Sequence, residues 1–375
     1  MDDPLAWLEE AAAARVIAGL QRSPRTRGAY DDVVDLASND YLGMARNPEV
    51  SAAAAKAAIE WGSGSTGSRL VTGTTELHLA LEGELADFVD FESALICSTG
   101  YHANLAAVTA LSGPDAFIVS DAGNHASLVD ACKLSRALIA VTPHRNVAAV
   151  DHALSYDRED REHAVVLTDS VFSADGDLAP LVELHAVARA HGAVLIVDEA
   201  HAFGVLGPGG QGAVAAAGLA GEPDVVVTGT LSKSLGSQGG FVMGPSLVRE
   251  HLLNTARAFV FDTGLAPPAV AAAAQSLALL RADPSLATTV RQRAAELAQI
   301  VGVEPPVAAV VSVVLGTSHR ALETQQRLLE QGVWVGCFRP PSVPEGTSRL
   351  RITARADLTE REMELFSTAW SRVSA

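Results

Sequence analysis

A repeated pattern runs through the middle of the chain: an apolar run ends in a polar cluster, and a stretch with helical spacing follows. Strands that alternate with helices in this way are typical of a mainly parallel sheet, because parallel neighbours need a crossover connection. The runs predicted to be strands are 94–97, 117–119, 164–167, 194–197, 225–227 and 241–243. Ligands bind such sheets beyond the carboxyl ends of the strands. The sequence therefore predicts an α/β fold with a site at that edge.

The length of 375 residues and a hydrophobic share of 48% suffice for one large domain and a smaller one. We expect an N-terminal helix and segment over 1–50 that pack with the small domain, and a large ligand-binding domain over 51–282. A small α+β domain is expected over 283–375. Helical spacing predicts a first helix over 4–21, and an apolar run predicts a strand over 307–315.

Charge and cysteine usage exclude several classes of protein. The net charge is −17, whereas a nucleic-acid-binding protein needs a basic face. An uncharged apolar run of about 18 residues, as a membrane span requires, is absent from the sequence. The acidic start does not resemble a signal peptide, and three scattered cysteines form no disulfide or zinc pattern. We therefore expect a cytoplasmic protein without a structural metal.

One lysine, Lys233, follows the run 225–227 in a loop rich in hydroxyl groups. The chain has only three lysines among its 27 basic residues, so arginine supplies the positive charge elsewhere. An amine can lose its proton and condense with a carbonyl group, which guanidinium cannot do. An isolated loop lysine is usually just solvated. The hydroxyls of Thr230 and Ser232 favour a nearby phosphate, and a Schiff-base lysine beside a phosphate indicates pyridoxal phosphate (PLP).

The stretch 198–201 reads Asp-Glu-Ala-His, at the end of a predicted strand. The same letters occur in an ATPase motif, but the glycine-rich partner motif G-x-x-x-x-G-K-[ST] is absent from the sequence. A G-x-G-x-x-G match at 62–67 follows a helix rather than a strand, so a dinucleotide fold is rejected. For a PLP enzyme, Asp198 would face the pyridine nitrogen and His201 would bind the ring hydroxyl. Taken alone, Asp198 or His201 would more often have an ordinary capping role in a turn.

Eight motifs, in the same order along the chain, resemble those of the α-oxoamine synthases. That family consists of PLP enzymes of fold-type I, the aspartate aminotransferase-like class. The motifs lie at 38–43, 67–73, 98–104, 124–127, 169–177, 198–201, 230–233 and 339–344. The resemblance runs from about Leu5 to the end and implies a large domain with a mainly parallel sheet plus a small α+β domain.

The resemblance is greatest to the member that condenses L-alanine with pimeloyl-CoA and releases CoA and CO₂, in biotin biosynthesis. The alternative within the family is a glycine C-acetyltransferase, or another amino-acid and acyl-CoA pair. Serine palmitoyltransferase and 5-aminolevulinate synthase are less favoured, since the sequence has no membrane helix or organelle presequence. A non-catalytic protein of the same fold is a further alternative, which the intact Lys233, Asp198 and His125 disfavour.

The resemblance also implies roles for individual residues. Lys233 would bind PLP covalently and act in catalysis with His125 and Asp198. The residues expected to contact the phosphate are Gly100, Tyr101, Thr230 and Ser232. The residues expected to contact the pyridine ring are His125, Ser173, Asp198 and His201.

Four further residues are assigned to substrates and to a neighbouring subunit. Arg351 would bind the carboxylate of the amino acid, and Ser342 replaces a threonine that is frequent in the family. Arg22 is the candidate for the far carboxylate of pimeloyl-CoA, although Gln21 interrupts the usual arginine pair. The loop that contains Thr263 resembles one that reaches the phosphate of the neighbouring subunit, which implies a homodimer.

Overall fold

The computed structural model describes residues 3–374. Its strands are β1 (Val34–Leu36), β2 (Ser93–Cys97), β3 (Ala116–Asp121), β4 (Leu138–Thr142), β5 (His163–Asp169), β6 (Val194–Asp198), β7 (Val225–Thr230), β8 (Gly240–Gly244), β9 (Val310–Gly316), β10 (Val333–Phe338) and β11 (Ser348–Thr353). Its α-helices are α1 (Trp7–Ile17), α2 (Pro48–Trp61), α3 (Glu76–Val89), α4 (Gly100–Ala110), α5 (Ala126–Ser135), α6 (Val147–Tyr156), α7 (Leu181–Ala190), α8 (Ala213–Ala216), α9 (Ser246–Thr255), α10 (Arg257–Val260), α11 (Pro267–Ala282), α12 (Ser285–Val301), α13 (Ser318–Glu330) and α14 (Glu360–Ser374). Over this described range, no helix is both long and apolar enough to cross a membrane.

Internal contacts divide the chain into two compact units. The larger unit comprises residues 39–173 and 177–291. The smaller unit comprises the residues up to Ser38, the short segment 174–176 and the residues from Gln292 onward. The domain limits expected at residues 50 and 282 stay a prediction.

The larger unit is built on a sheet with the strand order β2-β8-β7-β6-β5-β3-β4. All neighbouring pairs from β7 to β4 are parallel, and β8 runs antiparallel between β2 and β7. Strands β5, β6 and β7 are buried along nearly their whole length, which explains their continuous runs of valine, leucine and isoleucine. The predicted α/β class with a mainly parallel sheet is confirmed.

Helix α4 packs closely on this sheet because its inner face is made of small residues. Ala103, Ala106 and Ala107 are fully buried in the same core as residues of β2, β6 and β8. The approach is closest at Gly240, where an added Cβ would lie 2.6 Å from the Cα of Gly100. The start of α4 is therefore held against the ends of the central strands.

The smaller unit contains a sheet with the order β1-β10-β11-β9. β1 pairs with β10 in parallel, and the β10–β11 and β11–β9 pairs are antiparallel. Helices α13 and α14 are amphipathic, and both pack on this unit, α13 through Ala321 and Leu328 and α14 through Phe366. The result is the small α+β unit that the sequence predicts.

Some element limits differ from the prediction. Helix α1 is shorter than 4–21, because the chain leaves the helical conformation near Gly19, whose φ is +65°. Strand β9 starts at Val310 rather than at 307, after the prolines at 305 and 306. Strand β4 was not predicted; it is a partly exposed edge strand, where burial imposes the weakest sequence pattern.

Candidate active site

The parallel strands of the larger sheet end at one edge, and the polar clusters predicted from the sequence lie there. Strand β8 shows the common edge, since its residue Gly240 pairs with Cys97 at the end of β2 and with Thr230 at the end of β7. At the end of the neighbouring strands, Asp169 of β5 lies opposite Asp198 of β6. The expectation that these clusters share one sheet edge is confirmed.

Lys233 lies in a tight connection between β7 and the antiparallel strand β8. The N–H of Leu231 donates to the oxygen of Gly239 at 3.0 Å, and the N–H of Gly236 donates to the oxygen of Lys233 at 2.8 Å. Gly236 has a φ of +57°, and a Cβ there would lie 2.3 Å from the nitrogen of Ala45. Only glycine fits this turn, so the lysine stands on a closely defined loop.

The amine of Lys233 is linked through His201 to the hydroxyl of Tyr41. Its Nζ lies 2.9 Å from Nε2 of His201, and Nδ1 of His201 lies 2.6 Å from the hydroxyl of Tyr41. His201 and Tyr41 are buried, and Lys233 is half-buried. Because imidazole can both accept and donate a proton, the arrangement connects the amine with the phenol through His201.

Asp198 is buried at the end of β6, the strand next to β7. One carboxylate oxygen accepts the N–H of Ala200 at 2.8 Å, and the other accepts the amide of Asn104 at 2.7 Å. Two donors on different elements fix the plane of the carboxylate. Asp198 is thus held as a directed acceptor at the sheet edge that carries Lys233.

His125 caps the start of α5 beside these residues. Its backbone N–H donates to the carboxylate of Asp169 at 3.0 Å. Desolvation of the imidazole lowers the pKa of His125, and the nearby Lys233 lowers it further, whereas Asp198 raises it. Burial, together with the charge of Asp198, raises the pKa of Asp169 well above its usual range.

Glu199, the residue after Asp198, is a third buried carboxyl group, besides Asp169 and Asp198. Its oxygens accept the N–H groups of Ala213 and Val214 at 2.9 and 2.7 Å. Burial nevertheless raises the pKa of Glu199 to about 7. This group therefore holds the short helix α8 in place and changes its charge close to neutral pH.

The start of α4 forms a site suited to a phosphate group. Thr99 caps the helix, and the first N–H groups of any helix have no partner within it. A Cβ on Gly100 would lie 3.0 Å from the Cβ of Thr230, so only a residue without a side chain lets the start of α4 pack this closely against β7. The hydroxyls of Thr230 and Ser232 lie 2.7 Å apart at the same point. Four of the predicted phosphate contacts are therefore adjacent in the structure: Gly100, Tyr101, Thr230 and Ser232.

The other residues predicted to contact the cofactor also belong to the larger unit. The side chain of Tyr101 is turned to the surface, where its hydroxyl donates to Asp130 and this bond raises its pKa. Ser173 is half-buried in the segment after β5. Thr263 is exposed and forms an isolated bridge with Ser68. The roles given to these residues stay predictions.

The predicted substrate residues all belong to the smaller unit. Arg351 is buried on β11, with its guanidinium 5.4 Å from the ring centre of Phe338. Arg22 is exposed and borders a surface pocket of about 550 Å³ together with Arg15. Ser342 is exposed in the proline-rich loop. Their assignment to substrate carboxylates and acyl groups stays a prediction.

Sequence reasoning gave no role to several buried polar residues that support the site: Tyr41, Asn104, Ser127, Asp169 and Glu199. All of them lie inside the motifs on which the family resemblance rests. A polar residue beside a predicted strand end, or on the inner face of a small-residue helix, is the signal that could have identified them.

Residues 31–369 match the model of the family described as aminotransferase class I and II. A curated relative, 8-amino-7-oxononanoate synthase of Mycobacterium sp. (strain JLS), is 60% identical over 362 residues, 96% of this chain and 94% of the relative. A serine palmitoyltransferase from S. paucimobilis, solved with PLP bound, has a TM-score of 0.90 and 32% identity over 99% of both chains.

A crystal structure of 8-amino-7-oxononanoate synthase from Francisella tularensis has a TM-score of 0.76 and 25% identity. It covers 91% of this chain and 97% of that one. The sequence motifs, the sheet topology and the geometry around Lys233 agree with these matches. The chain belongs to the aminotransferase class I and II family and, within it, to the 8-amino-7-oxononanoate synthases.

Proposed function

We propose that this protein is a PLP-dependent 8-amino-7-oxononanoate synthase. It condenses L-alanine with pimeloyl-CoA, releases CoA and CO₂, and supplies 8-amino-7-oxononanoate for biotin biosynthesis. One observation carries the proposal: the Lys233 amine, hydrogen-bonded to His201, stands at the same sheet edge as Asp198 and the start of α4. The identity to curated relatives over nearly the whole chain supports the choice of substrates.

The residues present fit PLP. The helix start at Gly100 and the paired hydroxyls of Thr230 and Ser232 suit its phosphate, and the fixed carboxylate of Asp198 suits a protonated ring nitrogen. His125, Ser173 and His201 would contact the ring, and Lys233 would form the covalent bond. When bound, PLP supplies an electron sink that stabilises negative charge on the α-carbon of the amino acid.

Side chains of the protein then remove, hold and return the protons. Lys233, once its amine is released, removes the α-proton of alanine and later returns a proton to the product. Its hydrogen bond to His201 holds the amine in place, and the bond from His201 to Tyr41 fixes the imidazole. Asp198, held by the amide of Asn104 and the N–H of Ala200, would pair with the ring nitrogen of PLP. A positioned base of this kind contributes about 10²- to 10⁴-fold to the rate.

Substrate binding is assigned to arginines of the smaller unit. Arg351 is buried on β11 and binds the carboxylate of alanine, a pairing for which the planar guanidinium is well suited. Arg22 binds the far carboxylate of pimeloyl-CoA, and Ser342 also contributes to substrate binding. The pocket that Arg22 borders supports this assignment.

The active protein is proposed to be a cytoplasmic homodimer. In this proposal Thr263 contributes to the phosphate site of the neighbouring subunit. The free thiols of Cys97, Cys132 and Cys337 fit a reducing compartment.

Release of CoA tests the reaction, with alanine or glycine crossed against pimeloyl-, acetyl- and succinyl-CoA. We expect turnover with alanine and pimeloyl-CoA, a yellow colour from bound PLP, and loss of turnover in Lys233→Ala. Lys56→Ala, which removes an exposed lysine on α2, is the matched control and should behave as wild type. Faster release with glycine and acetyl-CoA would favour the C-acetyltransferase alternative, and normal turnover in Lys233→Ala would remove the role of that lysine.

A further inference from the structure

A hydrogen-bond chain through two buried side chains, Asn104 and Ser127, joins buried Asp198 to the more exposed His125. Its centre is Asn104 on α4, which is 2% exposed. The amide nitrogen of Asn104 donates to Asp198 at 2.7 Å and to the hydroxyl of Ser127 at 2.8 Å. That hydroxyl lies 2.7 Å from Nδ1 of His125. The two residues expected to contact opposite parts of the PLP ring are thus linked through protein groups alone.

The orientation of the Asn104 amide follows from its neighbours. Its oxygen accepts the hydroxyl of Thr228 at 2.5 Å, a side chain that is fully buried on β7. If the amide were turned over, its oxygen would face a carboxylate oxygen of Asp198 at hydrogen-bond distance, and two acceptors would repel. The amide nitrogen therefore faces Asp198 and Ser127.

The direction of the next bond follows from the backbone N–H of Ser127, which can only donate and is aimed at Nδ1 of His125, at 3.3 Å. Ser127 is fully buried, and its oxygen accepts from Asn104, so its single hydroxyl proton is available for His125. Two donors aimed at one ring nitrogen require that this nitrogen carries no proton.

We propose that Asn104 and Ser127 are positioning residues that together orient the carboxylate of Asp198 and hold His125 neutral, with its proton on Nε2. This inference rests on the proposed function for its importance, because that function gives Asp198 and His125 their roles. The hydrogen-bond directions themselves do not depend on it.

The charged groups around His125 are consistent with a neutral ring. Desolvation of the imidazole lowers the pKa of His125, Asp198 and Asp130 raise it, Lys233 lowers it, and the net direction is downward. Asp169 bonds the backbone of His125 rather than its ring. A neutral His125 adds no second positive charge beside the amine of Lys233, and it offers one N–H donor from Nε2.

The test is ¹⁵N NMR of the imidazole nitrogens in the PLP-loaded protein, labelled at histidine and assigned with His125→Gln. Wild type should show Nδ1 of His125 unprotonated and Nε2 protonated over the neutral range. Ser127→Ala removes the hydroxyl donor and should raise the titration midpoint of His125 by about one pH unit, a tenfold change in its proton affinity. Ser127→Cys, which keeps a weak donor, should lie between the two.

Matched controls separate this effect from general loosening of the fold. Ser135→Ala makes the same change on the same helix, and Thr109→Ala removes a hydroxyl from α4. Both hydroxyls bond backbone groups that are not part of the hydrogen-bond chain from Asp198 to His125. Both variants should leave the His125 signals unchanged. Asn104→Ala should also move them, because Ser127 is then free to rotate away, and should slow exchange of the α-proton of alanine about tenfold as Asp198 loses a donor.

A proton on Nδ1 of His125 in wild type would overturn the inference. So would a His125 titration in Ser127→Ala that matches Ser135→Ala. Failure of the proposed function has a different signature: the protein would bind no PLP or release no CoA, while the ¹⁵N signals of His125 in the unloaded protein would still report its tautomer.

Discussion

At the scale of single residues, Glu199 links the chemistry of the site to the stability of the fold. Below pH 4.5 its carboxyl group is protonated in the folded and unfolded states alike. Between pH 4.5 and about 7 only the folded state retains the proton, because burial raises the folded-state pKa. The unfolded state thus binds fewer protons in this window, and the free energy of unfolding must fall as pH rises through it.

We predict that Glu199 removes roughly 3 kcal/mol of stability between pH 4.5 and 7, since each pKa unit corresponds to about 1.4 kcal/mol. Glu199→Gln should be less stable than wild type at pH 5, because its amide meets the N–H groups that the carboxyl oxygens accept. The difference between the two proteins should shrink toward pH 8. Denaturant unfolding at several pH values measures this, with the exposed Glu183→Gln as control.

If the difference between Glu199→Gln and wild type stays constant from pH 5 to pH 8, Glu199 does not titrate in that range. The two backbone donors from α8 would then outweigh burial in setting its charge.

At the scale of elements, the position of α4 depends on the absence of a side chain at its first residue, Gly100. Gly100→Ala would place a methyl group 3.0 Å from Thr230 and 3.3 Å from the oxygen of Gly229. The helix would have to move away from β7 by a few tenths of an ångström, and its N–H groups would lose their alignment with an anion. We predict at least a tenfold weaker affinity for PLP, measured by absorbance titration of the unloaded protein.

Gly113→Ala is the matched control for this variant, since nothing lies within 4 Å of an added Cβ just beyond the end of the same helix. Its PLP affinity should equal that of wild type. Equal affinity in Gly100→Ala as well would show that the phosphate does not approach the start of α4.

Much of this architecture is predictable from sequence because burial imposes simple patterns. The central strands β5, β6 and β7 are covered on both faces, so their runs of apolar residues identify them. The positions of Asp198 and Lys233 follow, since Asp198 comes directly after such a run and Lys233 lies in the loop after another. Edge strand β4 lacks this pattern, being mostly half-exposed, and its existence depends on pairing with β3.

Contacts between residues distant in the chain could not be predicted in the same way. Asn104 and Asp198 are 94 positions apart, and Tyr41 and His201 are 160 positions apart. The side chains of each pair meet only in the folded chain, where α4 and the segment that contains Tyr41 both lie against the end of β6 and the residues that follow it. Local periodicity carries no information on such pairs, whereas the family resemblance includes every one of these residues.

At the scale of the whole molecule, the proposed homodimer makes a prediction about mixed proteins. Lys233→Ala and Thr263→Ala should each be impaired as pure dimers. After subunit exchange, a mixed dimer contains one site with Lys233 from one chain and Thr263 from the other. Activity should therefore rise on mixing, in proportion to the mixed dimers captured by two affinity tags.

The absence of any gain, with mixed dimers isolated, would place Thr263 in the site of its own subunit. A mixture of Lys233→Ala with Lys56→Ala gives the reference, since half of the sites in such mixed dimers are intact whatever Thr263 does. The comparison therefore separates sharing of the site from simple restoration of a dimer.

The short connection between β7 and β8 has a consequence for repeated turnover. Both ends of the Lys233 loop are fixed by strand pairing, and bonds within the loop close it further. When the amine of Lys233 is not bonded to PLP, it can move only as far as the four methylene groups of its side chain allow. Its encounter with the same carbon is then intramolecular, and well-oriented intramolecular reactions reach effective molarities of about 10⁵–10⁸ M. A free amine added to Lys233→Ala at millimolar concentration lacks that effective molarity and should restore only a small part of the rate.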